Sequence, residues 1–367
     1  MTVISAFSIA DTAALVGDLL LSGSSETKAP ELSIPAVGRV DDFFGGADGG
    51  WQILGLRQKV VLISPKCVIG WAGSWLQARV IVADLRSLAG QGPLTVEQIG
   101  QYLCNTTEQI DDLSLVGWVA RGERFVKFNF NAETFSVDGV GQVMAGGTGA
   151  DAVREYFNFR PSFTSVTGAT SSLHEAFFHG VMMAILFLRA ELHGGDAAAT
   201  IRNSFGGGYE IACSMGGEFR KLSDVAFLVW RIDLSDPNHF NVALDLSIKQ
   251  QYQDDTLLLR SARWTRDETG RPAQFDEQFH AVPPMYGAGP LTLPPTRESM
   301  PFSSSSFVHC FLVQKGEKFG IAGMYHSQTR SDQTYFQLKE TESDLSFFAS
   351  ASFKQAVKNA AFGLQLD

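Results

Sequence analysis

The sequence predicts an α+β fold in which helices pack in layers on sheets, followed by a mainly β region. Three observations carry this. Strand-like segments come in blocks separated by blocks of helical periodicity, which points to stacked layers and not to alternating βαβ units. The composition is that of a globular chain with ample core: of 367 residues 45% are hydrophobic, 19% are charged and 28 are Phe. Beyond residue 233 strand-like segments dominate, broken by a proline-rich stretch at 281–301.

Residues 2–8 (TVISAFS) and 13–21 (AALVGDLLL) are apolar and β-branched runs around a short turn, and read as a hairpin. Residues 22–57 are rich in Ser, Gly, Pro and Asp, with GGADGG in the middle, and read as a long loop or insertion. KVVLIS (59–64) and CVIGWAG (67–73) are strands with Pro65 in the turn. Residues 74–89 place apolar side chains at helical spacing. Thr95 and Gln98 form a capping-box signature that opens a second helix at 96–104. Short strands follow at 114–120, 124–130, 133–137 and 140–145, and GGTGADAVREYF then turns the chain into a short helix. A long helix spans about 171–193, and strands cover 205–215 (FGGGYEIACSM) and 225–233 (VAFLVWRID). The expected division is a first domain at 2–233 and a β-rich extension at 234–367 closed by a helix near 351–362.

Several functions are disfavoured. The net charge is −10 and no basic run occurs, so nucleic acid is not an expected partner. Cys67, Cys104, Cys213 and Cys310 are dispersed, without CxxC spacing, as in a reduced cytoplasmic protein. Asp11 and Asp18 interrupt the first apolar stretch, which argues against a signal peptide or anchor, and no segment is long enough to span a bilayer. HEAFFH (174–179) sets His174 and His179 five apart, on different faces of a helix, so a zinc site is not expected there. His193, His239, His280, His309 and His326 are scattered. GGTGA and FGGGYE lack the Lys-Ser/Thr of a phosphate loop, and Ser303–Ser306 lacks a GxSxG elbow.

One constellation remains. Thr2 is followed sixteen residues later by Asp18, in ALVGDLLLS. Lys59 opens KVVLISPKCVIGWAGS, and Gly73 stands fourteen residues after it. GGTGADAV places Thr148 at a turn into a helix. In these spacings the chain resembles the proteasome-type N-terminal nucleophile hydrolases over about residues 2–225. The resemblance implies a four-layer αββα sandwich, with the C-terminal β region as an addition. It implies Thr2 as nucleophile after removal of Met1, Lys59 and Asp18 as its partners, a Gly73 N–H for the oxyanion, and Thr148 as a supporting hydroxyl. It also implies a peptide or amide substrate, no metal or organic cofactor, and a homo-oligomer, with a ring-like assembly among the options. The pattern departs from the family where Leu20 replaces an Arg, in the longer loop between Asp18 and Lys59, and at Arg202 and Phe205, where the family carries Asp and Ser. Since the family includes non-catalytic members, a scaffold or binding subunit is the alternative.

Elementary chemistry fits the catalytic reading. A Thr hydroxyl is a weak nucleophile until a base takes its proton. A chain-terminal Thr carries its own base, the α-amine, with a reference pKa of about 7.7–8.0. A neighbouring ammonium lowers that value further and favours an ionised hydroxyl.

Overall fold

The computed structural model describes residues 2–24, 33–36, 38–39, 51–106, 110–122, 124–159, 164–165, 172–193, 205–235, 241–266, 272–286, 294–327, 336–341 and 345–363. The chain forms two compact units. The first comprises residues 1–160, 171–222 and 282–291, and the second comprises 161–170, 223–281 and 292–367.

In the first unit, β1 (Ile4–Ile9) and β2 (Thr12–Asp18) form the expected hairpin, with Ile4 opposite Gly17. They are central in a six-stranded sheet. On one side lie β12 (Gly141–Gly146) and β11 (Glu133–Val137); on the other lie β14 (Tyr209–Met215) and β15 (Glu218–Lys221). A four-stranded sheet contains β7 (Val60–Ser64), β8 (Cys67–Gly73), β9 (Leu113–Arg121) and β10 (Arg124–Phe130), with β7 at its edge. Ile4, Leu15, Val60, Val68, Val116 and Met144 are shared in one buried cluster that draws on both sheets. Alternation along each strand puts these side chains on one face, which is why the two sheets can bury them together. Helix α1 (Trp75–Gln91) packs on β7 and β8, and α2 (Val96–Thr106) lies near β10. Helices α3 (Ala150–Phe159) and α4 (Ser172–His193) pack on β1, and α4 also on β2 and β14. The α2 capping box forms reciprocally: Thr95 N donates to Gln98 Oε1 at 2.9 Å, and Gln98 N donates to Thr95 Oγ1 at 3.2 Å.

The stretch 22–57, expected as loop, contains strands. β3 (Leu20–Ser24) pairs with β6 (Trp51–Leu56), and β4 (Ser33–Ile34) pairs with β5 (Gly38–Arg39). Its polar composition hides WQILGL, an apolar segment that finds its partner across the intervening residues.

The second unit is built on a seven-stranded sheet. Its order is β13 (Thr164–Ser165), β21 (Lys318–Ser327), β20 (Ser306–Lys315), β16 (Val225–Asp233), β17 (Asn241–Gln253), β18 (Thr256–Arg266), β19 (Pro272–Val282). A hairpin of β22 (Phe336–Glu340) and β23 (Leu345–Ala349) precedes α5 (Ala351–Phe362), which packs on β21.

The expected α+β, four-layer αββα sandwich is overturned by this architecture. Among the described residues strand accounts for 52% and helix for 25%, with five helices against several antiparallel sheets. The reason lies in the length and pairing of the strands. β17, β18 and β19 are 13, 11 and 11 residues long, and segments given to loop also pair, so strand outweighs helix. No described helix is long and apolar enough to cross a membrane.

Candidate functional site

Four of the five residues singled out by spacing converge in the first unit around one buried ammonium. Lys59 precedes β7 and is fully buried, as is Asp18 at the end of β2. Lys59 Nζ donates to Asp18 Oδ1 at 2.8 Å, to Thr2 Oγ1 and to the backbone oxygen of Leu20. An ammonium has three hydrogens, so every donor is committed and the amine is held in one orientation. Thr2 is 1% exposed. Its N–H donates to Thr148 Oγ1 at 3.2 Å, and Thr148 Oγ1 lies 3.4 Å from Thr2 O.

Asp18 is tied as firmly as the lysine. Oδ1 also accepts from Val3 N at 3.1 Å, and Asp18 N donates to Val3 O at 3.1 Å. Oδ2 accepts from Gly206 N at 2.9 Å. The glycine run before β14 therefore wraps the carboxylate from the far side. A buried carboxylate with two backbone donors and one ammonium is well compensated for its lost hydration.

Gly73 ends β8 and lies in the wall of a cleft of about 410 Å³ that also includes Ala72, Ser114, Glu133, Gly147 and Thr148. Its φ is +99°, and a Cβ there would come within 1.8 Å of Asp112 O, so only glycine fits. A Cβ on Gly147 would meet Thr2 O at 2.2 Å, which allows the turn into α3 to close over Thr2. Gly149 N donates to Thr2 O at 3.0 Å. Gly73, Gly147 and Thr148 are exposed although Thr2 beside Thr148 is buried, so solvent reaches the edge of the constellation. Met1, Arg202 and His239 lie outside the described residues.

Burial pulls the Lys59 ammonium below the ordinary lysine range, while Asp18 and then Glu210 oppose that shift. Glu191 on α4 was not apparent from the sequence. It is buried, accepts from Tyr209 Oη at 2.8 Å, and its carboxyl is pushed up to about 8 by burial. Burial thus favours the neutral form of Glu191, and Asp18 is the acid whose oxygen bonds Lys59 Nζ.

Glu210 on β14 was missed too. Its Oε2 accepts from Lys59 N at 2.7 Å and from Val60 N at 3.1 Å. Its Oε1 accepts from Lys221 Nζ at 2.7 Å, and Lys221 also donates to Gln58 Oε1 at 2.7 Å. A Glu inside an otherwise apolar strand (YEIACSM) was the only signal available. His179 packs elsewhere, with Nδ1 2.8 Å from Tyr156 Oη. Among the described residues no group of three His, Cys, Asp or Glu side chains could hold a metal ion. In comparison with known proteins, the chain matches no family model and no curated protein.

Proposed function

We propose that this chain is an N-terminal threonine hydrolase that cleaves amide bonds, with peptides as the substrate class, once the Met1–Thr2 bond has been cut. The observation that carries the reading is the Lys59 ammonium donating to Thr2 Oγ1 while Asp18 holds it from behind. The spacing resemblance to proteasome-type N-terminal nucleophile hydrolases supports it independently.

The freed Thr2 amine takes the Oγ1 proton as Oγ1 attacks the substrate carbonyl carbon. Lys59 stabilises negative charge developing on Oγ1, and Thr148 Oγ1, which accepts from Thr2 N, orients the amine. The carbonyl oxygen becomes an oxyanion facing the Gly73 N–H, a contribution of about 2.7–4 kcal/mol in comparable sites. The amide C–N bond breaks, and the leaving amine takes the proton back from the Thr2 ammonium. Water then cleaves the Thr2 ester by the same proton route, releasing the acid and the free hydroxyl.

Thr2→Ser keeps hydroxyl and amine and is expected to retain hydrolysis of fluorogenic peptide amides; Thr2→Ala is expected to lose it. Equal turnover by Thr2→Ala and wild type would remove Thr2 from the mechanism. Self-association goes with the same reading, supported by Leu76 and Val80, which are 68% and 56% exposed one turn apart on α1. A monomer in sedimentation at micromolar concentration would contradict it.

A further inference from the structure

We infer that Glu210 and Lys221 are positioning residues for Lys59: a buried charge pair that fixes its backbone and sets the pH range in which Thr2 can react. The inference rests on the Thr2 reading above and extends it to residues that never touch substrate.

Lys59 stands at the entry to β7, the edge strand of its sheet. Its N–H and that of Val60 end on one oxygen, Glu210 Oε2, supplied by a strand of the other sheet. The lysine is thus gripped at both ends: backbone by Glu210, ammonium by Asp18, Thr2 Oγ1 and Leu20 O. Glu210 is fully buried, and its ion-pair partner Lys221 has a side chain only 13% exposed. A carboxylate this deep persists as an anion only with such compensation.

The four groups alternate in sign and balance: Asp18 and Glu210 are acids, Lys59 and Lys221 are bases. Among the described residues, Glu191 on α4 and Tyr209 on β14 also lie near them, as does the Thr2 amine once Met1 is removed. At the low effective dielectric of such a site each charge acts on its neighbours over several ångströms. Neutralising Glu210 makes the potential at Lys59 and the Thr2 amine more positive, so both give up protons at lower pH. Neutralising Lys221 does the opposite. A pair that merely ties the sheets together predicts lower stability and no such movement.

The test is the pH dependence of Thr2 modification by a peptidyl vinyl sulfone, read by mass spectrometry, in wild type, Glu210→Gln, Lys221→Met and the double variant. Glu210→Gln retains an amide oxygen for the two N–H groups, so the backbone grip survives, while its NH2 replaces the acceptor facing Lys221, which keeps its bond to Gln58 Oε1. The expected result is a profile displaced to lower pH in Glu210→Gln, to higher pH in Lys221→Met, and returned toward wild type in the double variant. Glu191 is intact in all four proteins and cannot move two profiles in opposite directions. Superimposable profiles, with wild type modified at Thr2, would overturn the role of the pair and leave the Thr2 reading standing. Absence of Thr2 modification in wild type freed of Met1 would overturn both. If Glu210→Gln does not fold, Lys221→Met alone decides by the direction of its displacement.

Discussion

Replacing Asp18 with Asn probes the buried ion pair with the smallest change of shape. Asp18 Oδ1 accepts from Lys59 Nζ at 2.8 Å and Val3 N at 3.1 Å, and Oδ2 accepts from Gly206 N at 2.9 Å. Asn offers one oxygen and one NH2. With the oxygen toward Lys59, the NH2 faces the Gly206 N–H, and two donors oppose each other. In either orientation Lys59, with its side chain 1% exposed, loses its anion. Removing one partner of a buried pair costs about 3–5 kcal/mol. For a unit of this size that lowers Tm by about 6–20 °C. Lys59 adds a pH signature. Its folded pKa is already lowered by burial, and loss of Asp18 lowers it further. A base with a depressed folded pKa costs stability below that value, and the cost fades as pH rises toward the unfolded lysine value of about 10.4. The deficit of Asp18→Asn should therefore shrink between neutral and alkaline pH. Urea unfolding of both proteins at a series of pH values measures this. A deficit under about 1 kcal/mol that is flat with pH would refute the buried-pair reasoning, because that is the size of an exposed ion pair.

Gly73→Ala forces a Cβ to 1.8 Å from Asp112 O at φ +99°, so a cost of about 2–5 kcal/mol is expected, with the strand end displaced. Denaturant midpoints check it, and a near-neutral effect would contradict the close approach. In the second unit His309 is fully buried, accepts from Trp230 Nε1 at 3.1 Å, and contacts His326 at 3.2 Å. Burial holds its pKa well below the usual histidine range, with His326 adding to the shift. Its contribution to stability is complete above about pH 6.5 and is lost as pH falls, by up to about 1.4 kcal/mol per pH unit. His309→Phe should flatten that slope in urea titrations between pH 7.5 and 5. Thr95→Ala, which removes the Oγ1 acceptor for Gln98 N, should cost about 1 kcal/mol, measured by thermal melting.

What could be read from the sequence follows how local its causes are. The helix at 351–362 coincides with α5, because Ser350 caps it and apolar Phe353, Val357 and Ala361 recur at helical spacing. Thr95 and Gln98 are three residues apart and their capping box needs nothing from elsewhere. Thr2, Asp18 and Lys59 were legible because two spacings coincided with a motif, and the structure brings them together with Thr148. Gly73 was legible as punctuation before a helix, and it lies in the wall of the cleft. Glu210 could not be found in this way: its bonds to Lys59 N and Val60 N span 151 and 150 residues. The pairing of β3 with β6 was hidden by the polar residues between them. The balance of strand over helix escaped for the same reason, since antiparallel pairing of long strands is decided by partners distant in sequence.

The proposed hydrolysis turns on Thr2 Oγ1 acting as a nucleophile activated by Lys59. Its most direct test is to treat the protein, freed of Met1, with a peptidyl vinyl sulfone and map the adduct by tandem mass spectrometry, in parallel with Lys59→Ala. In this addition the Thr2 Oγ1–carbon bond forms and the hydroxyl proton passes to the carbon next to the sulfone, so the adduct reports nucleophilicity without turnover. A single adduct on Thr2 is expected in wild type, with at least hundredfold slower labelling in Lys59→Ala, the scale on which about 3 kcal/mol of activation is lost. Equal labelling of the two proteins, or an unlabelled Thr2 with a free α-amine in wild type, would contradict it.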